Sequence, residues 1–179
     1  MMAFPTLKLT TISVCLTRNE IGAEKHQSYT EKLNRRKTYF FIALSLTVSV
    51  ALLLVTGSFL LTLSLGSASI PLGTFITWIG MISFPLTIYF GIKELQTPSN
   101  TYNKILSKLL KTIILLGILW VPISYLLAGN LSFTFSETQT FQGGQVAMKW
   151  FWYLSYSIGI GAICTLFAYW ISLLFKKII

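Results

Sequence analysis

The stretch Thr38–Ile92 reads TYFFIALSLTVSVALLLVTGSFLLTLSLGSASIPLGTFITWIGMISFPLTIYFGI and holds no Asp, Glu, Lys, Arg or His. A helix of about 20 apolar residues is enough to cross the hydrocarbon core of a bilayer. The run is too long for one crossing, so it must be broken, and the break is written as GSASIP, Gly66–Pro71. A glycine and two serines make a turn, and a proline is tolerated at the start of a new helix but not inside an old one. The sequence therefore predicts one span over 38–65 and a second over 72–92.

Two more uncharged runs follow, Thr112–Ser136 and Trp150–Phe175, which predict spans over 112–131 and 150–175. The expected fold class is an all-α integral membrane protein. Its expected parts are a basic N-terminal segment, 1–37, and a bundle of four transmembrane helices, 38–179. Composition agrees: 54% of residues are hydrophobic and 11% charged, where soluble domains carry roughly a quarter charged residues.

Orientation follows from the cations, because Lys and Arg near span ends resist translocation. The N-terminal segment holds Lys8, Arg18, Lys25, Lys32, Arg35, Arg36 and Lys37. The connection between the second and third spans holds Lys93, Lys104, Lys108 and Lys111, and the tail holds Lys176 and Lys177. Of the 14 basic residues only Lys149 falls on the other side, so both termini are expected in the cytoplasm. Topology thus accounts for the net charge of +9, and no nucleic-acid partner is needed to explain it. Arg35, Arg36 and Lys37 before the first span, and Lys176 and Lys177 after the last, are expected to anchor it. Each attracts anionic head groups by about 1 kcal/mol. Lys104, Lys108 and Lys111 recur at helical spacing, with Pro98-Ser99-Asn100 as a helix start, and predict a short amphipathic lead-in to the third span.

The first nineteen residues, MMAFPTLKLTTISVCLTRN, lack acidic residues and are rich in hydroxyls. That composition fits an organelle presequence or a disordered cytosolic tail. The expected location is the plasma membrane of a bacterium, with an organelle membrane as the alternative.

Sites for chemistry are sparse. Cys15 and Cys164 lie in different regions and show no metal spacing. The lone His26 sits in the charged stretch EKHQ with no second ligand at i+3 or i+4. Asn130-Leu131-Ser132 matches a glycosylation acceptor only at the very end of the third span. The predicted spans hold no Asp, Glu, His, Lys or Arg, which argues against proton relays, axial-histidine haem sites and activated nucleophiles. No cofactor, no metal and no enzymatic activity are expected.

In KWFWYLSYSIGIGAIC, Lys149–Cys164, the rings Trp150, Trp152, Tyr153 and Tyr156 fall in the first turns of the fourth span, where an aromatic belt belongs. A platform for a planar ligand is the functional alternative. GIGAIC is like a dinucleotide loop only on paper, since Cys164 stands at its third glycine and no strand precedes it. The small residues Ser157, Gly161, Cys164, Ala168 and Ser172 form one stripe of the kind that lets helices in lipid approach closely. Ser45, Ser49 and Gly57 are a similar set in the first span, and Gly73, Thr77, Gly80 and Gly91 in the second. Pro85 and Pro122 interrupt the second and third spans, as kinks or as static packing features. In the outer loop 129–149, Leu131, Phe133 and Phe135 alternate with Ser132, Thr134 and Ser136, an extended pattern. Gly143-Gly144 then allows a turn.

These features point to a non-catalytic multi-pass protein, an accessory subunit or assembly factor docking on a membrane-protein partner. The alternatives are a small transporter or channel built as a homo-oligomer, and a self-protection protein of the bacteriocin-immunity kind.

Overall fold

The computed structural model describes residues 31, 33–57, 59–61, 63–65, 70–129 and 142–178. The chain divides into two compact units, Met1–Thr38 and Tyr39–Ile179. The described part of the first unit belongs to the opening turns of helix α1, where Arg35 pairs with Glu31 at 2.6 Å, both largely exposed. An exposed pair at i, i+4 is worth about 0.3–0.5 kcal/mol.

Four helices are long and apolar enough to cross a membrane: α1 (Leu33–Val55), α2 (Leu72–Gly91), α4 (Thr101–Ala128) and α5 (Gly144–Ile178). A short α3, Lys93–Gln96, connects α2 to α4. Besides these helices and short connecting turns, the described chain has one turn of 3₁₀ helix, Phe59–Leu61, and a two-residue antiparallel bridge, Ser64–Leu65 with Ile70–Pro71.

Helix α1 stops ten residues short of the expected end at 65. Thr56 turns its hydroxyl back onto the Leu52 carbonyl at 2.7 Å, and Gly57 takes φ +58°, a left-handed conformation that ends helices and costs glycine nothing. Hydrophobicity continues past Gly57, but the helix does not. The expected break at Gly66–Pro71 takes in the second bridge strand, Ile70–Pro71, with residues 66–69 outside those described. Pro71 caps α2 with ψ 132°, so the helix starts at Leu72 as predicted.

Helix α4 begins at Thr101, eleven residues before the expected span. The lysine-bearing lead-in is therefore its first three turns, not a separate element. It ends on Gly129, which at φ +74° sends its N–H to the Tyr125 carbonyl at 2.7 Å. The alternating segment and the glycosylation acceptor fall in 130–141, outside the described residues. Beyond it Gln142 returns to donate to the Ala128 carbonyl at 3.2 Å. The chain turns at Gly143-Gly144 as expected, and α5 starts six residues before the predicted span. At about 1.5 Å per residue, 28 and 35 residues make α4 and α5 longer than a hydrocarbon core of about 30 Å.

The core lies between α2, α4 and α5. Its α4 face is Asn103, Leu106, Leu110, Ile113, Gly117, Trp120, Ser124 and Ala128. The α5 face is Ala147, Phe151, Ser155, Ile158, Ala162, Thr165 and Tyr169. Both rows advance by threes and fours, the spacing that lets side chains of one helix interlock with those of its neighbour. Helix α1 is peripheral: 11% of its most apolar window is buried, against 22–28% in the other three.

Candidate functional site

Two prolines shape the α2–α4 contact. A proline in a helix has no N–H for the carbonyl four residues earlier, so Pro85 frees Met81 and Pro122 frees Ile118. Both freed carbonyls lie at the same interface. Trp78 on α2 sends its indole N–H to α4, 3.2 Å from the Ile118 carbonyl and 3.1 Å from that of Gly117. In return, α4 brings Gly117 so close to Met81 that a Cβ there would lie 2.7 Å from the Met81 oxygen. Only a residue without a side chain lets the backbones meet. The two proline-bearing segments thus face each other across the α2–α4 contact.

The α4–α5 seam is joined by hydroxyls. Trp120, 1% exposed, donates its indole N–H to Ser155 Oγ at 2.8 Å. Ser155 and Ser124 pass their own protons to the carbonyls of Phe151 and Trp120 one turn back. Thr165 does the same to Gly161 at 2.7 Å. Such back-bonding satisfies a hydroxyl without water. Thr74 is the exception, 1% exposed with its hydroxyl unpartnered.

The predicted small-residue stripe lies on the shoulder of this seam. Ser157, Gly161, Cys164 and Ala168 each precede a buried residue (Ile158, Ala162, Thr165, Tyr169), which places them about 100° around the helix from its centre. Ser157 and Cys164 are exposed, whereas Gly161, Ala168 and Ser172 are half-covered. Gly161 faces α4, where a Cβ would meet Ile113 Cδ1 at 3.1 Å. Gly159 faces open space.

The predicted belt rings divide too. Trp150, Tyr153 and Tyr156 are exposed, while Trp152 packs against the core. Trp150 meets Tyr153 edge-on at 6.1 Å, and Trp152 stacks on Tyr156 at 5.4 Å. Of the predicted anchors, Arg35, Arg36 and Lys37 sit in the opening turns of α1, and Lys176 and Lys177 in the last turn of α5.

The end of the Tyr39–Ile179 unit that carries Lys93 is pinned by contacts that motif reading missed. Tyr169 on α5 donates to Glu94 Oε2 at 2.8 Å, and Tyr102 donates to the neighbouring Ala168 carbonyl at 3.0 Å. Leu95 is fully buried and its carbonyl accepts Ser107 Oγ at 2.5 Å. Gln96 Nε2 caps the last carbonyls of α2 at Tyr89 and Phe90. The one available signal was Glu94 itself, the single carboxylate between Tyr39 and Lys111.

Helix α1 joins α2 through Thr47, whose Oγ1 lies 3.1 Å from Ser83 Oγ and 3.2 Å from Thr87 Oγ1. Close approaches flank this contact, Gly80 to Val50 and Gly91 to Phe40. Among the described residues, no three His, Cys, Asp or Glu side chains gather as a metal site would require. The arrangement holds helices together and presents apolar and aromatic faces outward. Comparisons with protein-family models, with curated proteins and with solved structures gave no match.

Proposed function

We propose that the chain is a non-catalytic multi-pass membrane protein, inserted with both termini in the cytoplasm, that serves as an accessory subunit or assembly factor for a membrane-protein partner. The observation that carries this reading is the contrast between its interior and its surface. The interior among α2, α4 and α5 is filled by packed rings, aliphatic side chains and hydroxyls bonded to backbone. Within the described interior the one hydrogen-bonded pair of titratable side chains is Tyr169 with Glu94, at the end of the bundle that carries Lys93, and no buried His, Lys or Arg among the described residues extends it into a proton path. The surface exposes Phe41, Val55, Leu126, Trp150 and Leu174, each more than 60%. Soluble monomers rarely leave contiguous apolar patches beyond a few hundred Å². Lipid or a partner helix covers such faces without cost. A bacterial plasma membrane is the proposed location, on the basic-residue asymmetry and the composition.

Two experiments test the proposal. With Cys15 and Cys164 replaced by serine, a cysteine at exposed Gln145 reacts with an impermeant thiol reagent in intact cells, and one at exposed Ser99 does not; reversed labelling refutes the orientation. Purification in mild detergent then separates the roles. A distinct co-purifying membrane protein supports the accessory reading, and a pure homo-oligomer replaces it with the channel alternative.

A further inference from the structure

The first three turns of α4 carry a concentrated charge. Between Gln96 and Ser136 the charged residues are Lys104, Lys108 and Lys111, with no acid among them. At about 100° per residue they fall within an arc of about 60° on the helix, and all three are exposed. Among the described residues the one ion pair is Arg35 with Glu31, so no carboxylate there neutralises these ammoniums. Lys111 Nζ lies 5.9 Å from the Tyr89 ring, a contact that positions the charge without cancelling it.

Further along the helix the same face turns aliphatic. Leu115 and Leu119, 54% and 38% exposed, follow Lys111 by four and eight residues, which keeps them on or beside the lysine arc. Depth then decides what such a face can take. At about 1.5 Å per residue, Thr112–Ala128 covers about 25 Å, most of a hydrocarbon core of about 30 Å. Lys111 therefore stands at the edge of the hydrocarbon, with Lys108 about 5 Å and Lys104 about 10 Å further out, across the head-group layer. An acidic soluble segment would answer to the lysines alone. A lipid with an anionic head answers to both halves of the face, cations at phosphate depth and aliphatic side chains below them.

We propose that this face of α4 is the docking surface for an anionic glycerophospholipid, its phosphate held by Lys108 and Lys111 with Lys104 above them, and an acyl chain lying along Leu115 and Leu119. The surface rests on the membrane reading above. Lysines three and four apart are neighbours on a helix, so one phosphate meets two of them. Three lysines at this depth give a preference for anionic over zwitterionic lipid on the order of 100-fold.

The full chain, purified in detergent, is photolabelled with a phosphatidylglycerol carrying a diazirine on one acyl chain, and the adduct is mapped by digestion and mass spectrometry. The label falls within Lys111–Leu119. Unlabelled phosphatidylglycerol displaces it at concentrations on the order of 100-fold below those of phosphatidylcholine with the same acyl chains, and neither inorganic phosphate nor soluble polyglutamate displaces it in that range. Glutamine at all three exposed lysines (Lys104→Gln, Lys108→Gln, Lys111→Gln) brings the two lipids within about threefold of each other, arginine at the same three keeps the preference, and Lys176→Gln with Lys177→Gln leaves the label where it was. A label elsewhere on the chain, equal displacement by the two lipids, an undiminished preference in the glutamine variant, or displacement by phosphate or polyglutamate overturns the proposal. Resistance of the native chain to alkaline carbonate extraction reports on the membrane reading separately: a chain that resists extraction but shows no lipid preference sinks the lipid surface alone.

Discussion

Trp78 and Pro122 provide the sharpest test of how the bundle is held. Trp78→Phe keeps a ring in place but removes the N–H aimed at the Ile118 and Gly117 carbonyls. The Gly117 carbonyl retains the Val121 N–H of its own helix; the Ile118 carbonyl has no intrahelical donor, because residue 122 is proline. A hydrogen bond within a membrane protein is worth about 0.6 kcal/mol on average and up to about 1.7. An unmet buried carbonyl costs about 1–3. The Trp78 indole is only partly buried, so the lower part of that range applies, and about 1 kcal/mol is expected, roughly a fivefold loss in the folding equilibrium.

Packing loss from the smaller ring contributes as well, and a double-mutant cycle separates the two. Pro122→Ala returns an N–H to position 122, which bonds Ile118 within the helix and makes the indole redundant. In that background Trp78→Phe is expected to cost only a few tenths of a kcal/mol, leaving a coupling of about 0.5–1. Reversible unfolding of the four proteins in mixed micelles measures it. An identical cost of Trp78→Phe in both backgrounds, within about 0.3 kcal/mol, refutes the claim that the tryptophan serves the proline-freed carbonyl.

Three further outcomes follow from the same geometry. Gly117→Ala, whose Cβ meets backbone at 2.7 Å, destabilises by about 1–3 kcal/mol, while Gly159→Ala, in open space, is neutral or stabilising by up to about 1; both are read in the same unfolding assay. Tyr169→Phe removes the bond to Glu94 and lowers stability by about 1–2 kcal/mol, with faster hydrogen exchange in Lys93–Gln96 as a local signature; unchanged exchange there removes the latch. Gly161→Leu, pressed on Ile113, lowers protein abundance through misfit inside the bundle, whereas Ser157→Leu and Cys164→Leu leave abundance intact and weaken cross-linking to a partner or second copy. If cross-linking survives both exposed substitutions, this shoulder of α5 is not a docking surface.

Much of the fold was legible because uncharged length and breakers are local signals. Pro71 and Gly129 stand beside the true ends of α2 and α4, and Gly143-Gly144 marks the turn into α5. The end of α1 was not legible from hydropathy, since Phe59, Leu60 and Leu61 keep the apolar run going. The information was in Thr56-Gly57, a hydroxyl able to bond backward followed by a residue free to go left-handed. The start of α4 was misplaced for the opposite reason. Lysines end a hydrophobic window, yet they do not end a helix, and Asn103, Leu106, Ser107 and Leu110 carry the buried face straight through them.

The internal contacts were hidden by a different limit. Small residues at spacings of three and four identify a face that permits close approach, but lipid-facing and protein-facing rows share the same period. The rows beginning at Ser157 and at Ile158 differ by one residue, and the core took the second because its members pair large with small: Phe151 with Ser155, Ile158 with Ala162, Tyr169 with Thr165. A uniformly small row would leave gaps against the large side chains of α4, whereas a mixed row interlocks with the mixed row opposite, Leu110, Ile113, Gly117 and Trp120. In a medium with no hydrophobic drive between helices, dispersion contact and satisfied backbone carbonyls decide which face turns inward. The prolines obey the same logic. Each removes a hydrogen bond inside one helix, and its freed carbonyl lies at the contact with the neighbouring helix.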